Sequence, residues 1–408
     1  MYIFKAGVLG AGAMGAEIAQ VVSFSGLPVV LKDVNQELVD KGIARIRKIY
    51  QSRVDKGKMS PSDLESKMAL VEGTTTYDGF QDVDIVIEAI PEIMELKRKV
   101  FAELDANTPE STIFASNTSA LCISEMAAAT KRPHKVVGLH FFNPASVMKL
   151  VEIIPGLDTS QETVDDVQMF AESLRKIAVV VQDCPGFLVN RLLSPYLGEA
   201  VLCLQEGAAT AEEIDTAATA FGWPMGPFTL MDMLGIDVCY HVGKYLNEEY
   251  GERMPAAALY EELFKAKRWG EKTGAGFYTY TVEDVEPLEK IIARVQAEGK
   301  AQKGTQFSME RLMMPMVNEA ALCLQENVAR AGDIDMAMIA GTGMKVGEDR
   351  MGPLEYADTV GLDVVMDKLL EFQRLYGERF RPSRLLKTKV RAGHLGKKVG
   401  KGFKEYAS

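Results

Sequence analysis

The chain has 408 residues, of which 47% are hydrophobic and 25% are charged, which is enough for roughly two or three domains with a large core. It contains no uninterrupted apolar run of about 18 residues, so we expect no membrane association, and its first strand begins almost at Met1, so a cytoplasmic protein without a targeting peptide is expected. The net charge of −11 argues against a nucleic-acid partner, and the scattered histidines and cysteines lack metal-ligand spacing, so no metal is predicted.

The first predicted strand runs directly into a glycine motif. Gly10, Gly12 and Gly15 form G-x-G-x-x-G between this strand and a helical pattern, and a second apolar run then ends on Asp33. In this setting the glycines allow a tight turn, close approach of a pyrophosphate and close packing of the helix, while the acid can bind the ribose hydroxyls. The pattern predicts NAD as the cofactor. Lys32 leaves NADP as an alternative cofactor. The other alternative is a glycine-rich turn that serves only the packing of helix and strand.

A basic segment follows on the next helical pattern. Its members are Arg45, Arg47, Lys48, Arg53, Lys56 and Lys58. Such a cluster is most often a solvated helix face. The alternative is that it holds the phosphates of a large anionic substrate, since a chain with net negative charge needs local positive charge to bind an anion.

Polar residues follow the carboxyl ends of three further predicted strands. Glu92 and Lys97 come after the strand at 85–87, Ser119 follows the strand at 112–116, and His140 ends the strand at 136–140. Ligands bind at this edge of open α/β sheets. We therefore expect these side chains to meet there.

A histidine and a glutamate carried on buried segments are the most informative pair. His140 ends one apolar strand, and Glu152 lies inside the next apolar segment. An imidazole whose second nitrogen is held by a carboxylate is poised to act as a general base. The alternative is a core histidine satisfied by a structural carboxylate, but the convergence of several polar elements on one edge favours catalysis.

Beyond residue 184 the alternation of strands and helices ends. Pro185 and Gly186 break the pattern before a long helix with a broad apolar face, which begins a helical domain. Asn190 lies in the first turns of this helix and could face the same cleft. A routine cap or surface asparagine is the alternative.

The helical region is duplicated. Residues 191–206 match 311–326, and residues 225–238 match 351–364, with a six-residue insertion in the second copy. Copy two lacks the D-C-P-G-F entry and has Glu310 where copy one has Asn190. We therefore expect copy two to be structural.

These patterns predict an α/β domain followed by all-α domains. The predicted parts are a Rossmann-type domain with a doubly wound sheet (1–184), helical copy one (185–281), a linker (282–304) and helical copy two (305–408). Small helical domains often dimerise to bury an apolar face. Two copies in one chain can satisfy that need internally, so a pseudo-dimeric monomer is expected, with a homodimer as the alternative.

Taken together, the motifs resemble those of the 3-hydroxyacyl-CoA dehydrogenase family. The resemblance rests on GVLGAGAMG, IEAIPE with Lys97, SNTSAL, GLHFFNP with Glu152, and DCPGFLVNR. The tandem copies most resemble the dehydrogenase part of multifunctional fatty-acid oxidation proteins. No crotonase-like hydratase segment precedes them here, so a stand-alone dehydrogenase of lipid metabolism is expected.

The resemblance implies NAD-dependent oxidation of (S)-3-hydroxyacyl-CoA to 3-oxoacyl-CoA. His140 would take the hydroxyl proton and Glu152 would orient it, while Ser119 and Asn190 would hydrogen-bond the substrate. Cofactor contacts are implied for Met14, Asp33, Glu92, Lys97 and Asn143. Lys56 and Lys58 are candidates for the coenzyme A phosphates, and Tyr356 either reaches the acyl pocket or belongs to the core.

Two other functions are alternatives to this prediction. One is a dehydrogenase acting on a hydroxy acid or sugar acid without coenzyme A, which loss of the basic segment would favour. The other is a non-catalytic NAD-binding scaffold, which predicts decay of His140, Glu152 and Asn190. The basic segment is present and all three residues are intact, so both alternatives are disfavoured.

Overall fold

The computed structural model describes residues 2–281, 285–302 and 304–407. The chain divides into two compact units, Met1–Phe187 and Leu188–Ser408. The first unit is α/β, and the second is helical apart from a short hairpin, so the predicted fold class is confirmed. Among the described residues, no helix is both long enough and apolar enough to span a bilayer.

An eight-stranded sheet, counted over the described residues, forms the centre of the first unit. Its strands are β1 (Ala6–Leu9), β2 (Val29–Lys32), β3 (Val71–Thr74), β4 (Ile85–Glu88), β5 (Ile113–Ser116), β6 (Val136–Phe141), β7 (Leu150–Pro155) and β8 (Ile177–Val180). The spatial order is β3-β2-β1-β4-β5-β6-β7-β8, and only the β6–β7 pairing within it is antiparallel. The order reverses direction between β1 and β4, and open α/β sheets bind ligands at such a point.

Half of the α-helices described in the first unit begin at a residue whose side chain caps them. The α-helices of this unit are α1 (Ala13–Phe24), α2 (Gln36–Asp55), α3 (Pro61–Met68), α4 (Met94–Asn107), α5 (Ile123–Ala127) and α6 (Gln161–Ser173). The Asn35 side chain accepts a hydrogen bond from Leu38 N to start α2, and Ser60 forms a capping box with Asp63 for α3. By contrast, α1 begins directly after Gly12, which has no side chain to cap it. The amides at this helix start therefore face the glycine motif.

The second unit contains both helical copies. Copy one and the segment after it form α7 (Val189–Gln205), α8 (Ala211–Phe221), α9 (Pro227–Leu234), α10 (Ile236–Tyr250), α11 (Ala258–Lys265) and α12 (Leu288–Ala297). Copy two forms α13 (Met309–Gln325), α14 (Ala331–Thr342), the hairpin β9 (Lys345–Val346) and β10 (Asp349–Arg350), α15 (Pro353–Val360), α16 (Leu362–Tyr376) and α17 (Arg384–Arg391). Helices α7 and α13 begin and end at equivalent positions of the repeat. The predicted insertion is the β9–β10 hairpin, which reaches back to copy one where Gly347 N donates to Phe221 O at 2.8 Å.

The two copies pack through α7 and α13 with reciprocal ion pairs. Arg191 Nε donates to Glu319 Oε1 at 2.7 Å, and Arg311 Nε donates to Glu199 Oε1 at 2.7 Å. All four side chains are buried. Each arginine of one copy thus pairs with a glutamate of the other, as across a two-fold axis.

Most of the described part of the predicted linker is the helix α12. Its side chains Ile291 and Val295 are completely buried, and Gln296 Nε2 donates to Gln205 O at 2.9 Å. This helix therefore packs on copy one. Residues 282–284 and 303 of the predicted linker lie outside the described residues.

Candidate active site

The glycine motif forms an open cradle at the start of α1. Gly10 has φ +94°, and a Cβ there would lie 2.5 Å from Ala89 O, while a Cβ on Gly15 would lie 1.7 Å from Gly10 O. A Cβ on Gly12 would meet no described atom within 4 Å. Two glycines thus allow close packing, and the third leaves free the space in front of the helix amides, where a pyrophosphate binds in dinucleotide folds.

Asp33 closes one side of this cradle. Its Oδ2 accepts from Ala11 N, and its Oδ1 accepts from Val34 N, both at 2.6 Å. A cavity of about 170 Å³ lies beside it, and its lining includes Gly10, Asp33 and Tyr77. The donors of the glycine loop, the carboxylate and the cavity fit the pyrophosphate, ribose and adenine parts of a dinucleotide.

The His140 and Glu152 side chains form the centre of a second cluster. These residues lie directly opposite each other in the antiparallel pairing of β6 with β7. His140 Nδ1 lies 2.8 Å from Glu152 Oε2, and both side chains are buried. Because β7 runs against β6, its first residues lie at the edge where the parallel strands end, and this brings Glu152 to the histidine.

Ser119 lies on the other side of the imidazole. Its Oγ is 3.3 Å from His140 Nε2. With Nδ1 donating to the carboxylate of Glu152, Nε2 is the nitrogen that carries the acceptor lone pair. The rings of Phe142 and Phe187 lie 4.6 Å and 5.9 Å from the imidazole, measured between ring centroids. The basic nitrogen therefore faces a hydroxyl within a partly apolar surrounding.

Glu92 fixes the loop that carries Ser119. Its Oε1 accepts from Ser119 N at 3.0 Å and from Thr118 Oγ1 at 2.5 Å. Its Oε2 lies 3.2 Å from Lys97 Nζ, which also donates to the buried Glu88 Oε1 at 2.7 Å. Lys97 itself is only 1% exposed. The structure thus places Lys97 behind Glu92, supporting the edge of the sheet.

The remaining residues predicted for the first unit lie at separate places. Met14 is half-buried in the first turn of α1, and Asn143 is exposed in the loop between β6 and β7. Lys56 and Lys58 are exposed at the end of α2. Arg47 of the same basic segment forms an ion pair with Glu65 at 2.6 Å, so part of the positive charge of the segment is neutralised within the protein.

Two predicted residues belong to the helical unit. Asn190 is half-buried in the first turn of α7. Tyr356 lies on α15 with 8% exposure, packed edge-to-face on Phe221 at 5.7 Å between ring centroids, and burial raises its pKa to about 12. The environment of Tyr356 is that of a core residue between the copies. Its prediction as an acyl-pocket residue has no further support.

Some residues of the cluster were assigned no role from the sequence. Glu88 anchors Lys97 and accepts from Ser116 Oγ at 2.6 Å, and Asn117 Oδ1 accepts from Phe141 N at 2.8 Å. Glu88 could have been found, because it is an acid at the end of an otherwise apolar strand. Phe187 gave no such signal, because its contact with His140 depends on tertiary packing. Among the described residues, no group of three His, Cys, Asp or Glu side chains is arranged to hold a metal.

Comparison with known families identifies both parts of the chain. The protein-family model described as "3-hydroxyacyl-CoA dehydrogenase, NAD binding domain" matches residues 5–184. The model described as "3-hydroxyacyl-CoA dehydrogenase, C-terminal domain" matches residues 186–280 and again 307–406. These matches confirm the predictions of an NAD-binding domain and of the family resemblance.

Individual relatives agree with these matches. The chain is 39% identical over 369 residues to the fatty acid oxidation complex subunit alpha of Acinetobacter baumannii, covering 88% of this chain and 51% of that protein. It therefore spans about half the length of the curated relatives that it matches. The crystal structure of 3-hydroxybutyryl-CoA dehydrogenase from Escherichia coli K12 has a TM-score of 0.87 at 29% identity, over 96% of this chain and 99% of that one. The (S)-3-hydroxybutyryl-CoA dehydrogenase of Ralstonia eutropha is 40% identical with a TM-score of 0.67, over 69% of this chain and 100% of that one.

Proposed function

The chain belongs to the 3-hydroxyacyl-CoA dehydrogenase family, and from this premise we propose that it oxidises (S)-3-hydroxyacyl-CoA thioesters to 3-oxoacyl-CoA with NAD. The observation that carries the proposal is the His140–Glu152 pair, with Nδ1 2.8 Å from the carboxylate, in the same NAD-binding domain as the glycine cradle. Bound NAD supplies the acceptor for the hydride that leaves C3 of the substrate. The side chains of the protein supply the base and the positioning.

In this proposal His140 is the general base. Its Nε2 takes the proton of the 3-hydroxyl group, and Glu152 stabilises the resulting imidazolium and keeps the ring oriented. Ser119 Oγ lies within hydrogen-bonding reach of the same nitrogen, so it can bind the reacting oxygen. In the reverse direction the protonated imidazole returns its proton to the 3-oxo oxygen.

The remaining predicted residues keep supporting roles in the proposal. Asn190 binds the substrate, and Asn143 binds the nicotinamide end of the cofactor. The exposed Lys56 and Lys58 hold the coenzyme A phosphates, for which a flexible ammonium is a suitable partner. Asp33 selects NAD, because its carboxylate would repel a 2′-phosphate.

We also propose that the chain is a pseudo-dimeric monomer. The reciprocal pairs of Arg191 with Glu319 and of Arg311 with Glu199 support this, because they bury one helical copy against the other within a single chain. Light scattering at nanomolar protein concentration should give a mass near 44.8 kDa. A mass of twice that value at every concentration would contradict the proposal.

The function is tested by following the absorbance of NADH with acetoacetyl-CoA, with a longer 3-oxoacyl-CoA and with free acetoacetate. Oxidation with the thioesters alone is the expected result. His140→Ala should lower kcat by about 10²–10⁴-fold, the contribution of a placed general base. His134→Ala is the matched control, because His134 is exposed just before the same strand.

Two results would go against the proposal. Equal activity of His140→Ala and the parent would remove the assigned base. Turnover of free acetoacetate at the rate of its thioester would favour the dehydrogenase of a hydroxy acid without coenzyme A.

A further inference from the structure

The loop of residues 142–149 joins the two strands that carry His140 and Glu152. It leaves β6 two residues after the histidine and enters β7 two residues before the glutamate. Asn143 lies in it and is exposed, whereas Ala145 is completely covered. Within the loop, Val147 N and Met148 N both donate to Pro144 O, at 3.0 Å and 2.9 Å. The loop is therefore a compact turn with one exposed side and one anchored side.

A lysine from another part of the sheet anchors the loop. Lys176, just before β8, donates from Nζ to Ala145 O at 2.6 Å and to Met148 O at 2.7 Å. Burial lowers the pKa of this ammonium to about 8, and the charge of Glu17 opposes that shift. Holding a half-buried ammonium on two loop carbonyls carries a desolvation cost that an exposed lysine would avoid. A lysine that served only to interact with solvent would not hold its ammonium group on two loop carbonyl oxygens at this cost.

The second anchor comes from the helix of the glycine motif. Glu17 lies on α1, two residues after Gly15, and is only 9% exposed. Its Oε2 accepts from both the amide and the hydroxyl of Ser146, each at 3.2 Å. The helix whose start forms the pyrophosphate cradle is thus tied directly to the loop that carries Asn143.

We propose that Glu17 and Lys176 are positioning residues that hold the loop of residues 142–149 in register with α1. Opposite charges from α1 and from the start of β8 grip consecutive parts of the loop, Ala145, Ser146 and Met148. The pair thereby fixes the distance between the pyrophosphate cradle at Gly12 and Asn143 at the nicotinamide end. This inference rests on the proposed function, because that function assigns Asn143 to the cofactor.

The test compares cofactor binding with thioester binding in variants of the full chain. Lys176→Met keeps the length of the side chain and removes its donors, and it should raise the Kd for NADH by about tenfold, the cost of losing charged hydrogen bonds. The KM for the 3-oxoacyl-CoA should stay within about twofold of the parent, since the loop is assigned to the cofactor alone. Without cofactor, the amides of Val147 and Met148 should exchange hydrogen faster in Lys176→Met than in the parent. This exchange measures the local stability of the loop directly.

Conservative replacements separate positioning from general stability. Lys176→Arg retains donors and charge and should recover most of the NADH affinity. Glu17→Gln should have a smaller effect than Lys176→Met, because an amide oxygen still accepts from Ser146. Lys149→Met is the matched control, since Lys149 is an exposed lysine of the same loop and its loss should leave the Kd for NADH unchanged.

The outcomes are distinct. A parent-like Kd in Lys176→Met, or an equal rise of the NADH Kd and the thioester KM, would overturn the inference. If that variant does not fold, Ser146→Ala decides, because it removes only the hydroxyl bond to Glu17 and should weaken NADH binding by about two- to threefold. Because NADH binding is followed by fluorescence without any thioester, a parent that binds NADH but turns over no thioester would refute the proposed function and still leave this comparison valid.

Discussion

The first helices of the two copies, α7 and α13, are equivalent in position and length but begin differently. In copy one, α7 begins after Leu188, whose aliphatic side chain cannot cap it, and the preceding Phe187 has φ +48°. In copy two, α13 begins after Ser308, whose hydroxyl accepts from Arg311 N at 3.2 Å. Helix α7 of copy one thus lacks the side-chain cap that α13 of copy two has. Copy two has the capped start of a structural helix.

The contact between the copies is, in contrast, nearly symmetric. Glu319 pairs with Arg191 and also with Arg253, whose Nε lies 2.7 Å from Glu319 Oε2. In the same way, Glu199 pairs with Arg311 and also with Arg379, whose Nε lies 2.7 Å from Glu199 Oε2. Packing keeps the two copies alike, whereas the helix start that carries Asn190 in one copy and Glu310 in the other differs. Duplicated sequence in this chain thus marks structure, and the departures from it mark the proposed site.

The symmetry of the contact is broken most strongly by removing one buried arginine. Arg191→Met and Arg311→Met should each lower the free energy of unfolding by up to about 3–5 kcal/mol, because each takes from a buried glutamate the more deeply buried of its two arginine partners. Urea unfolding followed by tryptophan fluorescence measures this, since Trp223 and Trp269 both lie in the helical unit.

An exposed pair serves as the control for these variants. Arg330→Met removes an arginine that is 90% exposed and should cost no more than about 1 kcal/mol. If only one of the two buried variants is strongly destabilised, the contact is not the symmetric structure described above.

The difference between the copies is sharpened by the next substitution. Asn190→Ala should lower kcat/KM by about 10–100-fold, the loss of one hydrogen bond to a polarised substrate group, with little change in stability. Glu310→Ala, at the equivalent exposed position of copy two, should leave the kinetics unchanged. Steady-state rates with acetoacetyl-CoA measure both. Equal losses in the two variants would show that the copies share the chemistry.

The sequence predicted the parts of the site that depend on local pattern. Gly10, Gly12 and Gly15 could be assigned because their roles follow from spacing between a strand and a helix. His140 could be singled out because a polar side chain at the end of an apolar strand requires a partner. The resemblance to a family then implied the remaining roles.

Features that depend on long-range pairing could not be predicted. The short loop between β6 and β7 favours an antiparallel pair over a parallel crossover, but nothing in either strand sets the register that places His140 opposite Glu152. The anchoring of Ser146 by Glu17 likewise joins elements that are 129 residues apart in sequence. Lys97 is near Glu88 in sequence, but its burial on that carboxylate depends on how α4 packs against β4. Such pairings arise only when the sheet and its helices pack.

The smallest expected effect tests whether the start of α13 is purely structural. Ser308→Ala removes the cap of α13 and should lower the free energy of unfolding by about 1 kcal/mol, the usual cost of losing a serine cap. Thr210→Ala is the matched control in copy one, because Thr210 caps α8 by accepting from Glu213 N. Both variants should keep the kcat of the parent, measured with acetoacetyl-CoA. A fall in kcat with Ser308→Ala alone would mean that copy two takes part in the site, because the cap acts only on the helix that follows it.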